Sequence, residues 1–416
     1  MRQRIRTAAW LLLLAWLASL PAAAQQLERR DTVAQRSRPG VDADGMPLGA
    51  WRLYPELGLE LRYDDNVFAD DQFEESDTAT IVRPELRLEN RASRYRALLG
   101  ANADIARYAD FDSEDYTDLR GWLLGDMQLG EGELRGELRY GKLHEDRSSP
   151  DDLRGTELTE FSRRDARLAY GYRPGRLLLR ADAGFHTLDF DATQTAAGLV
   201  SNDDRDRDLL EFGLRGGYSV SPDLALYAEG RIDQIDYDLA RDRDGFERSS
   251  DGWELRFGGL LDFTGRTAGE FYVGYQSRDY DDPRFSDASG PSLGGEVSWN
   301  MSGLTTLTIS GSRHIDSTTV VGASGITKSQ LAFGLDHELL RNLILTVEAE
   351  VANDDFEGLE RNDDLARVEL RGRYLANRFL QLLFGYRYRQ RDSSPANAAG
   401  REYRINEIYL RVTGQL

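Results

Sequence analysis

The chain has 416 residues, of which 30% are charged, and its formal net charge is -20 at pH 7. This acidic balance disfavours nucleic acid as a partner, because the phosphate backbone binds basic protein surfaces. Cysteine is absent, which excludes disulfides and thiolate metal sites. Beyond the N-terminal region, no stretch approaches the ~18 consecutive apolar residues that a membrane-spanning helix needs.

The first 24 residues predict a secretory signal peptide. Basic residues precede the apolar run TAAWLLLLAWLASL, and the three alanines at 22–24 supply a small-residue cleavage site. Residues 25–50 show no hydrophobic period, so we expect a periplasmic tail there. The sequence is also compatible with a segment that folds into a lumen, and it does not distinguish the two placements.

From Leu53 onward, apolar residues recur at every second position. In LYPELGLELRY (53–63), one face carries Leu57, Leu59 and Leu61, and the other carries Glu60 and Arg62. Strict alternation over about ten residues is typical of a strand with one apolar and one polar face. Eighteen such segments start near residues 53, 79, 94, 118, 133, 163, 176, 208, 224, 251, 268, 291, 304, 327, 343, 364, 378 and 404.

The connections between these segments alternate between short turns, such as GEG at 130–132, and longer, mostly acidic loops. A soluble sandwich or propeller needs no such alternation. An outer-membrane barrel combines an even strand number with short periplasmic turns and long extracellular loops, and closure removes its edges. The sequence therefore predicts an all-β fold, a single transmembrane antiparallel barrel of about 18 strands over residues 51–416. Both termini would be periplasmic, and the partners would be outer-membrane lipid and lipopolysaccharide.

Aromatic residues near the strand ends fit the girdles of such a barrel at the two membrane interfaces. They are Tyr63, Tyr95, Tyr140, Tyr172, Tyr218, Trp253, Tyr275, Trp299, Tyr374 and Tyr388.

The polar face predicts a lumen lined with charges of both signs. Such side chains must be hydrated or paired, so they would either stiffen the wall as cross-strand ion pairs or line a hydrated conduit for a polar solute. The candidate lining residues are Arg83, Glu85, Arg87, Arg135, Glu137, Arg139, Glu229, Arg231, Glu348, Glu350, Arg367 and Arg371. Inward aromatics would stack on sugar rings or, as we favour, pack against neighbouring arginines; they are Tyr54, Trp122, Tyr227, Tyr272 and Tyr409.

Catalysis finds little support in the pattern. The four histidines show neither metal-ligand nor triad spacing, so no catalytic, cofactor or metal site is predicted. A hydrolase at the barrel rim could be assembled around His186, with Asp182 on the same face, or His314, with Ser310 and Ser312 nearby. This hypothesis has the weakest basis.

The stretch YDDNVF (63–68) is the most conspicuous polar cluster. As a calcium loop it fails, because Phe68 and Ala69 stand where an EF-hand requires a ligand and a glycine. We interpret it as the rim of the first strand, where Asp64, Asp65 and Asn66 turn the chain into solvent. The acidic loop over residues 64–78 could still collect divalent ions loosely beside lipopolysaccharide.

The same residues carry a family resemblance. PLG (47–49), LYP (53–55) and YDDNVF (63–68) resemble the start of the barrels of the Putative beta-barrel porin 2 family. The resemblance implies an outer-membrane barrel associated with exopolysaccharide or capsule production, and thus a conduit for polymer export that works with periplasmic export proteins. Outer-membrane barrels usually end in phenylalanine, whereas this chain ends in Leu416.

Two main functional hypotheses follow. The first is a polar conduit for export of an extracellular polysaccharide, and the alternative is a diffusion porin for small solutes or saccharides. Both use the same architecture and strand number. The sequence does not identify the solute or polymer, whether the lumen is open, gated or plugged, or whether the protein is a monomer or a trimer.

Overall fold

The structure is a computed structural model that describes residues 32–92, 94–263, 265–395 and 402–416. Its strands are β1 (Met46–Leu48), β2 (Trp51–Asp64), β3 (Asp77–Arg91), β4 (Tyr95–Tyr108), β5 (Tyr116–Leu129), β6 (Gly132–His144), β7 (Glu160–Tyr172), β8 (Leu177–Phe190), β9 (Thr193–Thr195), β10 (Gly198–Val200), β11 (Arg207–Ser221), β12 (Leu224–Tyr237), β13 (Ser250–Phe263), β14 (Thr267–Tyr280), β15 (Ala288–Asn300), β16 (Thr305–Asp316), β17 (Ile326–Leu340), β18 (Leu343–Phe356), β19 (Asn362–Asn377), β20 (Leu380–Ser394) and β21 (Tyr403–Gln415). Two single turns of 3₁₀ helix occupy Asp112–Glu114 and Asp203–Arg205. Across these described residues, no helix has the length and apolar character to cross a membrane.

Eighteen long strands, β2–β8 and β11–β21, form one closed antiparallel barrel. Each long strand pairs with the next along the chain, and β8 pairs with β11 across a loop that contains the β9–β10 hairpin. The ring closes where β2 pairs with β21, from Glu56 opposite Gln415 to Asp64 opposite Glu407. The predicted all-β barrel and its strand number are confirmed.

The two ends of the barrel differ in their connections. At one end, which we call the short-turn end, neighbouring strands are joined by tight turns such as the one between β5 and β6. Gly130 in that turn has φ 61°, a left-handed conformation that favours glycine. At the other, long-loop end, β6 and β7 are joined by residues 145–159, and β12 and β13 by residues 238–249. Residues 32–50 and Leu416 lie at the short-turn end.

The alternating pattern places apolar side chains outside the ring and charged ones inside. Leu57, Leu59 and Leu61 on β2 are 58%, 52% and 54% exposed, whereas Glu60 between them is only 3% exposed. This arrangement reverses that of a water-soluble protein. It is stable where the surrounding solvent is lipid, because lipid solvates the leucines and the ring satisfies every strand edge.

The residues after Tyr63 join the first strand to the last. Asp65 accepts hydrogen bonds from the backbone and side-chain nitrogens of Asn406 at 2.6 and 2.7 Å, and the Asn66 side chain donates to the Arg404 carbonyl at 3.0 Å. Asn66 also receives the Asp70 backbone N–H at 3.1 Å, which shapes the following turn. The stretch YDDNVF is thus the rim of β2, as interpreted from the sequence. The expectation that its polar residues turn into solvent is wrong for Asp64 and Asn66, which are 6% and 1% exposed because they bind protein groups at the seam of the barrel.

Candidate functional site: a lumen narrowed at both ends

The charged residues that the sequence assigns to the lumen lie at inward positions of the barrel strands. Most of them are held in ion pairs with neighbouring strands or with the next inward residue on the same strand. The pairs are Arg83 with Glu60, Arg135 with Asp126, Arg139 with Glu137, Arg231 with Glu229, Arg367 with Glu369, and Arg371 with Glu348. Among the described residues, Glu85, Arg87 and Glu350 have no oppositely charged group within 4 Å. Ion pairing, across strands in three of these pairs and along one strand in the other three, therefore accounts for much of the charge on the wall.

Several glutamates are almost fully enclosed by arginines. Glu229 is 2% exposed and accepts hydrogen bonds from Arg215 at 2.6 Å and Arg231 at 2.9 Å. Glu60 is 3% exposed and lies between Arg83 and Arg411, at 3.2 and 2.6 Å. A carboxylate taken out of water needs more than one strong donor to offset its desolvation, and guanidinium forks supply these donors.

The same arrangement recurs on β19 and β21. Glu369 is 2% exposed and binds Arg367 at 3.0 Å, Arg387 at 3.3 Å and the Tyr409 hydroxyl at 2.7 Å. Glu407, also 2% exposed, binds Arg387 at 2.9 Å. These shared arginines link β19, β20 and β21 into one network inside the wall.

The inward aromatic residues have their faces covered. The Arg215 guanidinium lies 3.9 Å from the ring centre of Tyr227, and the Tyr227 hydroxyl donates to Glu270 at 2.6 Å. Tyr54, Tyr272 and Tyr409 pack in the same way against Arg87, Arg256 and Arg387, at 4.7, 4.3 and 5.8 Å. Trp122 lies directly over Gly100, where an added Cβ would be 2.1 Å from the indole. Packing against arginine, which the sequence favoured for all five inward aromatics, is present for the four tyrosines, whereas Trp122 packs on Gly100.

Residues 145–159, which we call the crossing loop, extend across the long-loop mouth. This loop starts on β6, and its Asp151 reaches the loop between β16 and β17, nearly half of the ring away. Asp151 accepts hydrogen bonds from the Thr318 hydroxyl at 2.8 Å and from the Thr319 N–H and hydroxyl at 2.8 and 3.0 Å. One carboxylate thus fastens the loop to the far side of the mouth.

Further polar contacts hold the crossing loop at its other points. Arg147 is buried and forms a bidentate pair with Glu114 at 3.0 and 2.7 Å, and Glu145 pairs with buried Arg205 at 2.6 Å. On β20, Arg391 donates to the Ser148 carbonyl at 2.5 Å. Burial raises the pKa of Asp152 in this loop to about 6. The crossing loop is therefore packed against the barrel by polar contacts and does not extend freely into solvent.

Residues 32–44, which we call the inner segment, enter the lumen from the short-turn end. Val33 is fully buried in an apolar cluster with Ile344 and Leu375, and its N–H donates to the Thr306 hydroxyl at 2.9 Å. Arg38 is 5% exposed and pairs with Glu338 at 3.2 Å. The sequence left open whether this region extends into the periplasm or folds inwards, and the described residues fold inwards.

A hollow of about 570 Å³ lies between the inner segment and the strands β15–β20. Its wall combines small neutral side chains with arginines and carboxylates. They include Ser298, Thr308, Ser310, Ala332, Gly334, Glu348, Glu350, Arg367, Arg371 and Arg373. This volume falls within the ~300–1,000 Å³ typical of small-molecule sites.

The rim histidines contact carboxylates. His186 Nδ1 lies 2.5 Å from Asp165 and its Nε2 lies 3.3 Å from Glu211, so both ring nitrogens are engaged on the wall. His144 Nδ1 lies 2.8 Å from Asp118 and its ring stacks on Tyr116. In the part of the chain that the structure describes, no three His, Asp or Glu side chains converge as a metal site.

Sequence reasoning missed the crossing loop and the contacts of the inner segment. Neither region carries a hydrophobic period, and Asp151 is one of many aspartates in acidic loops. The partners of Asp151 lie more than 160 residues further along the chain. The length of residues 145–159 is the one local signal that distinguishes the crossing loop, and long loops are common at this end.

Comparison with known proteins places the chain among porin-like barrels. The family model described as Putative beta-barrel porin 2 matches residues 38–416. No curated protein matches the chain. Among solved structures it is similar to OccAB3 of Acinetobacter baumannii (11% identity, 88% of this chain and 99% of that chain, TM-score 0.44). It is also similar to OprD of Pseudomonas aeruginosa (13%, 88% and 95%, 0.42) and to a mutant of the ferric enterobactin receptor PfeA of the same organism (9%, 90% and 81%, 0.44). These structural likenesses concern the fold alone.

Proposed function

Because the chain belongs to the Putative beta-barrel porin 2 family, an outer-membrane barrel family, we propose that it is a diffusion porin for small polar solutes. In this proposal the short turns face the periplasm and the long loops face the exterior, as is general for such barrels. The protein has no catalytic role in this proposal, and its charged lumen serves as a hydrated path.

The crossing loop is the observation that carries the proposal. Eighteen strands enclose a ring wide enough for an aqueous channel. A loop fastened from β6 to the β16–β17 connection divides that opening, so solutes must pass beside it. Division of the mouth by a polar loop suits selection of small solutes by size and charge.

The same contacts favour a diffusion porin over a polysaccharide conduit. A polymer chain in transit occupies the full length of the lumen and needs a continuous opening. Here the inner segment lies inside the short-turn end, with Val33 packed on Ile344 and Arg38 paired with Glu338. Both anchors would have to break before a polymer could enter there.

Size-dependent permeation is the first expected outcome. Proteoliposomes containing the purified protein should swell in solutions of small sugars, with a rate that falls steeply between a mono- and a trisaccharide. The narrowed mouths set this limit. Equal rates for these sugars and for a long dextran would contradict the proposal, and protein-free liposomes give the background.

Unchanged secreted polymer on deletion of the gene would separately exclude the export hypothesis.

A pH dependence of the channel is the second expected outcome. Burial raises the pKa of Asp152 from 3.8 to about 6 when the crossing loop spans the mouth, which we call its closed form. The closed form therefore favours the protonated acid. The closed form therefore loses stability as the pH rises from about 4 to about 6, and above that range this contribution is constant. Burial is the main cause of the raised pKa; Glu145 and Glu114 raise it further, and Arg147 lowers it. Single-channel conductance should be higher at about pH 7 than at about pH 5.

The matched variant is Asp152→Asn, which keeps the shape and removes the titration. The conductance of this variant should be the same at both pH values. An identical pH profile in the variant and the unmodified protein would show that Asp152 does not control the loop.

A further inference from the structure

The two ends of the barrel carry opposite charge in their connections. The loop over residues 65–76, at the long-loop end, holds five carboxylates and no basic residue. The eight short turns at the other end hold six arginines and two carboxylates. The arginines are Arg94, Arg173, Arg176, Arg266, Arg341 and Arg378, and the carboxylates are Glu131 and Asp223.

Four of the turn arginines are exposed and uncompensated, and we call them the rim arginines: Arg94, Arg176, Arg266 and Arg341. Within the residues that the structure describes, no carboxylate lies within 4 Å of any of them. The other two turn arginines differ, since Arg173 is partly buried and Arg378 pairs with Asp44 at 2.9 Å. Glu131 and Asp223 lie on turns that hold no rim arginine. The rim arginines are thus free to bind an anion.

The rim arginines recur at every second short turn. They lie on the turns between β3 and β4, β7 and β8, β13 and β14, and β17 and β18, so four strands separate each from the next along this part of the ring. Four strands correspond to about 20 Å at ~4.8 Å per strand. Charges spaced in this way surround the barrel, as the membrane does, and do not form the compact patch that a soluble protein partner would contact.

An exposed apolar side chain adjoins each rim arginine. This combination is typical of the membrane–water interface, where the apolar group contacts lipid and the cation contacts the headgroups. Next to Arg266, whose carbonyl accepts the Asn300 N–H at 2.7 Å, the exposed residue is Trp299. The other pairs are Arg94 with Tyr95, Arg176 with Leu177, and Arg341 with Leu340.

We propose that the rim arginines bind the phosphate groups of anionic phospholipids in the leaflet around the short-turn end. A guanidinium group donates two parallel hydrogen bonds to a phosphate, and the adjoining apolar side chain contacts the acyl chains. A lipid of net negative charge is preferred to a zwitterionic one, because its headgroup holds no cation that repels the arginine. This inference goes beyond the proposed function and concerns the outer surface of the barrel.

The test uses two tryptophans at opposite ends of the barrel as reporters. Beyond the predicted signal peptide, tryptophan occurs at positions 51, 122, 253 and 299. Trp299 lies beside Arg266, and Trp253 lies near the long-loop end of β13. Two reporter proteins each keep one of these two residues and carry Trp→Phe at the other three positions. Both are reconstituted into phosphatidylcholine vesicles that contain brominated phosphatidylglycerol or brominated phosphatidylcholine, because bromine quenches tryptophan fluorescence on contact.

We expect the apparent affinity at Trp299 to be about fivefold higher for phosphatidylglycerol than for phosphatidylcholine, as for one arginine beside an anionic headgroup. Phosphatidylglycerol should have no such advantage at Trp253. Arg266→Gln should bring the ratio at Trp299 close to one. Raising the ionic strength from about 0.1 M to about 1 M should lower the ratio in the same direction, because salt screens exposed charges.

The matched control is Arg164→Gln, which removes an exposed arginine from the long-loop half of β7. Arg164 lies 3.9 Å from Asp189, far from the short turns. This variant should keep the ratio measured at Trp299 in the unmodified reporter protein. Should Arg266→Gln fail to insert into vesicles, the salt dependence of the unmodified reporter protein decides in its place.

Equal affinities of the two lipids at Trp299 would overturn the proposal, as would a ratio that neither Arg266→Gln nor salt changes. An equal loss in Arg164→Gln would also overturn it, because total protein charge would then select the lipid. Quenching does not require permeation. Failure of the lipid proposal therefore leaves the proposed function standing, and failure of solutes to enter proteoliposomes leaves the lipid result standing.

Discussion

Replacing Asp151 with alanine is expected to raise single-channel conductance about twofold, because this carboxylate alone fastens the crossing loop to Thr318 and Thr319. Loss of three hydrogen bonds releases Asp151 from the β16–β17 connection, while Arg147, Glu145 and the bond from Arg391 to Ser148 still hold the rest of the loop. The opening should also admit larger neutral sugars. Planar-bilayer recordings and swelling rates with graded sugars would measure both effects.

Asp71→Ala is the matched control. Asp71 lies in the exposed loop after β2, so the variant removes the same carboxylate without touching the crossing loop. Its conductance should equal that of the unmodified protein. A conductance of Asp151→Ala that also stays unchanged would mean that the remaining contacts hold the loop in place, and that the bonds from Asp151 to Thr318 and Thr319 have no part in the size limit.

Replacing Glu369 with glutamine is expected to lower the free energy of unfolding by about 3 kcal/mol, as when one member of a buried ion pair is removed. Glu369 is 2% exposed and compensates Arg367 and Arg387 while accepting from Tyr409. The neutral amide keeps the volume but takes the charge from a buried acceptor, and it leaves Arg367 and Arg387, whose side chains are 47% and 26% exposed, with less negative charge beside them. Urea titration in detergent micelles, followed by tryptophan fluorescence, would measure the change.

Glu137→Gln serves as the comparison for this prediction. Glu137 pairs with Arg139, whose side chain is 58% exposed, and its own side chain is 21% exposed. Since water screens such a pair, the expected loss is below about 1 kcal/mol. Similar losses in the two variants would mean that the lumen water screens Glu369 as well, and that the network does not stabilise the barrel.

The ion-pair networks stabilise the lumen wall, whereas the crossing loop and the inner segment set the width of the path. Residues such as Glu229 and Glu369 are enclosed by arginines and stiffen the wall. Their carboxylates are therefore not available to a solute in the lumen.

The sequence by itself determined the barrel. Alternation with a period of two is a local property, since neighbouring side chains of any extended strand point to opposite faces. Leu59 and Glu60 therefore lie on opposite sides wherever the strand is placed, and the number of such segments equals the number of strands. The rim position of YDDNVF followed from the same reasoning, because the alternation stops there.

Only the tertiary structure decided what fills the lumen. The contact from Asp151 to Thr318 and the pair between Arg38 and Glu338 join residues that are distant in the chain and close only once the ring has formed. These contacts depend on loop paths that no hydrophobic period controls. A polar face predicts that charges line a lumen, but which charges pair and which stay free depends on the register and on the segments that fold inside.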